Sequence, residues 1–137
     1  MNIQERAYKS AVSRGKISES TTEDDLLIHL QKEVAELFQA KEVGDIDYVI
    51  ERVDQLISTS TKPIESVSDV QRETAKHFYK LYKNNMAGTK ADELADIALV
   101  CATYAKKLGI DLFKAMELKT LYNELRPDNK LKTTQNG

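Results

Sequence analysis

Apolar residues recur along this chain mostly at three- and four-residue intervals, with polar residues filling the positions between them. That period belongs to amphipathic helices. Only five glycines and two prolines interrupt it. The pattern predicts an all-α fold, a helical bundle of about five to six helices.

The helix boundaries follow from local signals. A first short helix is expected from Ile3 to Arg14, stopping at Gly15. Thr22, with Asp25 three residues on, reads as the N-cap of a second helix from Glu23 to about Glu42, ending near Gly44. Val49, Ile50, Val53, Leu56 and Ile57 have helical spacing and mark a third between Ile46 and Ile57. The turn-rich linker STSTKPIES, holding Pro63, leads to a fourth from Val67 to Met86, closed by Ala87-Gly88. Thr89, with Asp92 placed for a capping box, opens a fifth that runs from Lys90 to Leu108. Gly109 ends it, Asp111 starts the sixth, and Arg126-Pro127 stops that helix after Leu125. The tail, residues 128–137, is polar and is expected to fray.

Composition narrows the class. At 137 residues the chain is expected to form a single domain, 1–137, with a core that needs neither disulfides nor structural zinc. A formal charge of −2, with 31% charged residues, gives no global basic field and argues against nucleic acid. Cys101 is the one cysteine; it sits on an apolar helix face without zinc-ligand spacing and reads as a small core residue. The N-terminal stretch MNIQERAYKSAVSRGK is charged throughout, and no run approaches the roughly 20 apolar residues of a membrane span. The expected location is therefore cytoplasmic, with no membrane partner.

Two helices carry the candidate chemistry. Glu33 and Glu36 in KEVAEL, and Glu93 and Asp96 in DELADI, are pairs of acids three residues apart. Positions i and i+3 share one side of a helix. At about 100° per residue, Leu26, Leu30, Val34 and Leu37 form the apolar stripe of the second helix, flanked on one edge by Glu33 and Glu36. Leu94, Ile97, Ala98, Cys101, Ala105 and Leu108 form that of the fifth, flanked on the same edge by Glu93 and Asp96. Helices with matching offsets can pack side by side and pool their acids. Two such charges about 4 Å apart repel by about 4 kcal/mol at an effective dielectric of about 20. A hard divalent cation removes that cost, and oxygen-only ligands suit Mg²⁺, with Mn²⁺ as a substitute. The competing reading is that these acids are ordinary solvated helix charges.

A third element adds cations. Lys119, Asn123 and Arg126 fall at i, i+4 and i+7 on the sixth helix, on one face with Leu112 and Met116. A lysine, an amide and a guanidinium fork in a row can hold phosphate oxygens. Alone, they would equally suit a basic last turn that complements the helix dipole.

These residues together resemble the MazG-like, all-α nucleoside triphosphate pyrophosphohydrolases. LIHLQKEVAELFQA resembles that family's ExxE helix, DELADIALVCATYAKKLGIDLFKA its ExxD helix, and KTLYNELRP its Lys, Asn and Arg helix. The resemblance covers roughly residues 26 to 40 and 90 to 127. The chain also departs from the family pattern. Lys32 stands where a further acid is usual, and the tail after Pro127 lacks a basic, His- and Gly-containing ending. About 56 residues separate Glu36 from Glu93, so residues 41–89 read as an extended helical insertion.

The resemblance implies an enzyme that cleaves the α–β linkage of a (deoxy)nucleoside triphosphate, giving monophosphate and pyrophosphate. Glu33, Glu36, Glu93 and Asp96 would hold Mg²⁺, with Glu36, beside Glu33, as the group that takes the proton of the attacking water. Lys119 and Arg126 would steady the departing pyrophosphate, and Asn123 a phosphate or sugar oxygen. His29, one turn before Glu33 on the acidic edge, is a candidate substrate contact. Fold-level analogy further implies a homo-oligomer, a dimer or tetramer that completes the bundle.

The alternative from a different class is a non-catalytic helical interaction or oligomerisation protein whose acids are surface charge. A di-iron carboxylate bundle would need Glu-x-x-His on two helices, and neither His29 nor His77 has a glutamate three residues before it.

Overall fold

The structure, a computed structural model, describes residues 2–58 and 69–128. Among these the chain is all-helical, with six α-helices and no strand. They are α1 (Ile3–Ser13), α2 (Glu23–Gln39), α3 (Ile46–Ser58), α4 (Asp69–Asn85), α5 (Lys90–Lys107) and α6 (Leu112–Glu124). The expected linker around Pro63, the start of the fourth helix at Val67 and the polar tail lie outside the described residues. No described helix is long and apolar enough to cross a membrane.

The caps at Thr22 and Asp111 form as the spacing predicts, and Asn2 supplies one for α1. Asn2 accepts the Glu5 N–H at 2.9 Å to open α1, and Asp111 accepts the Lys114 N–H at 3.2 Å to open α6. Before α2, Thr22 and Asp25 exchange bonds: the Asp25 N–H donates to Thr22 Oγ1 at 3.1 Å and the Thr22 N–H to Asp25 Oδ2 at 2.9 Å. This is a capping box with Asp in the place of Glu. Hydrogen bonding from the Thr22 backbone N–H, and then from its side chain, holds the Asp25 carboxyl below its ordinary pKa.

The chain divides into two compact units, whose described residues are 2–27 and 99–128 in one and 28–58 and 69–98 in the other. In the first unit, Ala11, Ile17 and Leu26 form a small buried cluster with Tyr8 and Tyr104 packed against it. Full burial of one such aliphatic side chain contributes about 2 kcal/mol. Gln4 is the buried polar hub of this unit. Its Nε2 donates to the carbonyls of Ala102 at 3.0 Å and Ile110 at 2.9 Å, and its Oε1 accepts the Leu112 N–H at 3.2 Å. One side chain thereby ties α1 to the corner where α5 ends and α6 begins.

In the second unit, α3 and α4 pack on each other, and among the described residues Val49 and Met86 are its buried apolar side chains. Here α2 is shorter than its apolar pattern suggests, ending at Gln39 and not near Glu42. The reason is tertiary. The segment after α2 turns its carbonyls onto the start of α5, where the Lys90 N–H donates to Glu42 O at 2.7 Å and the Ala91 N–H to Val43 O at 2.9 Å. First-turn amides of a helix have no partner within the helix, and these two find one in a distant loop. Gly44 permits the approach. Its φ is +102°, and a Cβ there would lie 2.6 Å from Thr89 Oγ1.

Burial on α5 also departs from the expected stripe. Ala105 is buried as expected, but Leu94, Ala98 and Leu108 are exposed, whereas Glu93, Ala102 and Thr103 are buried. Cys101 is half-buried and free. On α6 no residue is buried.

Candidate metal centre

Glu33 and Glu36 stand one turn apart on α2, and Glu93 and Asp96 one turn apart on α5. All four belong to the second unit, and the structure brings them into one group. One carboxylate oxygen from each lies within 4.8 Å of the others. A single octahedral ion with bonds of about 2.1 Å places opposite oxygens about 4 Å apart, so small side-chain rotations close this set on one cation.

Burial separates the group from surface charge. Glu93 is only 8% exposed, although it is an acid in the first turn of a helix. Its Oε2, and Oε2 of Glu33, are buried oxygens without a hydrogen-bond partner among the described residues. An unpaired buried polar atom costs about 1–3 kcal/mol, and more if charged. Burial pushes the Glu93 carboxyl above its ordinary pKa, and the neighbouring charges of Glu36, Asp92, Asp96 and Glu33 push it further in the same direction. Two buried oxygens without a donor among the described residues, in a group of four acids, could hold a cation.

The rim of the cluster is built by hydrogen bonds. His29 Nε2 lies 3.0 Å from Glu33 Oε1, one helical turn away, while Oε2 of that carboxylate is buried without a partner among the described residues. On the α5 side, Asp92 accepts the Gly88 N–H at 2.9 Å with Oδ2 and the Tyr82 hydroxyl with Oδ1. The expected box at Thr89 is thus altered. Thr89 Oγ1 does accept the Asp92 N–H, at 3.3 Å, but Asp92 answers to Gly88 and Tyr82. Burial, the bond to Asp92, and the charges of Asp92, Asp96 and Glu93 all raise the Tyr82 pKa, so the phenol stays a donor throughout the neutral range.

Tyr82 is the site residue that sequence reasoning passed over, since its spacing with Phe78 reads as packing. The two rings do meet edge to face, 6.2 Å between centroids. The available signal was the short Ala87-Gly88 turn, which folds the end of α4 back towards the first turn of α5.

The cationic stripe belongs to the other unit. Lys119 and Asn123 are exposed on α6, and Arg126 is exposed just beyond it. Lys119 Nζ lies 4.6 Å from the centre of the Tyr122 ring, a cation–π contact. Arg126 meets Asp128 through two bonds, Nε to Oδ1 at 3.2 Å and Nη2 to Oδ2 at 3.3 Å. Among the tyrosines, Tyr79 and Tyr122 are exposed, whereas Tyr8 packs against the core of its unit.

Oxygen-only donors and buried, unpaired carboxylate oxygens fit a hard divalent cation and give nothing to a soft one. No family model, curated protein sequence or solved structure matches the chain.

Proposed function

We propose that this protein is a divalent-cation-dependent nucleotide pyrophosphohydrolase, cleaving a (deoxy)nucleoside triphosphate at its α–β linkage. The observation that carries the reading is the convergence of Glu33, Glu36, Glu93 and Asp96, with two buried oxygens left unpaired. These four residues would hold the ion, Mg²⁺ or Mn²⁺. When bound, it supplies neutralisation of triphosphate charge and acidification of a water.

Glu36 would accept the proton as that water adds to phosphorus, with Glu33 beside it as the second catalytic acid. The P–O bond of the anhydride breaks, pyrophosphate leaves with the electron pair, and the monophosphate remains. Lys119, Asn123 and Arg126 supply the donors suited to phosphate oxygens. The present partners of Lys119 and Arg126, Tyr122 and Asp128, are exposed contacts that a more highly charged ligand can displace. The assembly would be a homo-oligomer. The apolar side chains exposed on α6, among them Leu118, Leu121 and Leu125, support it.

The test is pyrophosphate release from a panel of canonical and modified (deoxy)nucleoside triphosphates, with Mg²⁺, Mn²⁺ or EDTA. Turnover is expected with either ion and not with EDTA. Glu36→Gln and Asp96→Asn should each lower it by at least 100-fold while far-UV circular dichroism stays that of the parent. Parent-like turnover in both variants would reject the site. If no triphosphate is cleaved and no divalent cation binds, the protein is a helical interaction module.

A further inference from the structure

Resting on the divalent-cation reading of the acidic cluster, we infer that His29 is a positioning residue, whose imidazole holds one oxygen of Glu33 and thereby presents the other to the ion. The geometry is asymmetric in the way that role requires. The His29 side chain is 40% exposed and the Glu33 side chain 12%, so the pair spans the edge of the cluster from wet to dry. Nε2 lies 3.0 Å from Oε1, and Oε2 is buried with no donor among the described residues.

An ordinary histidine–glutamate pair on a helix surface leaves the second carboxylate oxygen in water. Here that oxygen is buried beside three other acids. The terminal torsion of a glutamate is broad and nearly two-fold, so an unheld carboxylate exchanges its oxygens freely. A hydrogen bond to one of them selects a single orientation. Groups that orient metal-binding side chains in this way are typically worth about 10–100-fold in metal affinity.

His29 is placed to do this because it lies four residues before Glu33, on the same face of α2. Its action is through Glu33, and it needs no contact with substrate.

The experiment is Mn²⁺ binding to the full chain without nucleotide, followed by electron paramagnetic resonance of the free ion. His29→Ala is expected to weaken binding by about 10-fold or more. His29→Gln, whose amide offers a donor of similar reach, should bind within about threefold of the parent. Metal-free circular dichroism and melting temperature of the two variants should coincide, which separates positioning from helix stability.

Parent-like affinity in His29→Ala overturns the inference and leaves the site standing. Equal weakening in both variants also overturns it, because the donor would not then be what matters. A parent chain that binds no Mn²⁺ overturns the cluster as a metal centre, and this inference with it.

Discussion

Glu93 concentrates the physical problem of this protein in one side chain. It is buried, next to three other acids of the cluster, and carries an oxygen without a donor among the described residues. Its pKa is raised, so the folded state holds the Glu93 proton more tightly than the unfolded chain does. The sign follows. Below the ordinary glutamate pKa the residue is neutral in both states and costs nothing as a charge. As pH rises through the raised value, the folded state must ionise it, and stability is lost. Glu93→Gln should therefore stabilise the metal-free protein at neutral pH, by about 1–3 kcal/mol, with the advantage vanishing towards pH 4. Urea denaturation in EDTA at several pH values reads this out. The same substitution should abolish Mn²⁺ binding, giving a variant more stable and less competent than its parent. Equal stability of both proteins at neutral pH would show that the acid is not strained.

At the scale of elements, the metal centre is only as well placed as the junction between the α2–α3 loop and the N-terminus of α5. The Lys90 and Ala91 amides on Glu42 and Val43 set that junction, and Gly44 allows it. Gly44→Ala introduces both a strained positive φ and a clash with Thr89. It is expected to cost about 1–3 kcal/mol and to weaken Mn²⁺ binding without touching an acid. Thr22→Ala, by contrast, removes a cap remote in sequence from all four acids. It should cost about 1 kcal/mol in urea and leave Mn²⁺ affinity at the parental value. In the first unit Gln4→Leu strips three hydrogen bonds from a buried hub and should cost about 2–4 kcal/mol.

For the whole molecule, occupancy of the cluster should register as stability. A ligand that binds only the folded state, at 100 times its dissociation constant, adds about 2.7 kcal/mol, or roughly 10 °C in Tm for a chain of this size. Saturating Mg²⁺ or Mn²⁺ should produce such a rise in a thermal melt, and Asp96→Asn should lose most of it. Apolar exposure makes a second statement at this scale. Phe38 is 87% exposed, and no residue of α6 is buried. Sedimentation at micromolar concentration is expected to show a dimer or larger species, and Leu121→Glu with Leu125→Glu should shift it towards monomer. A parent that sediments as a monomer would remove the oligomer from the proposal.

What the sequence by itself determined is local. Helix starts at Thr22, Thr89 and Asp111 depend on bonds spanning three residues, and the i, i+3 pairing of the acids depends only on helical pitch. Such interactions are complete within one turn, so a linear reading contains them. Tertiary structure alone decided the rest. It ended α2 at Gln39 because a loop carbonyl was needed on α5, buried Glu93 while leaving Leu94 exposed, and closed the Tyr82 hydroxyl on Asp92. Each of these depends on which surface meets a given helix face, and periodicity specifies the face but not what covers it.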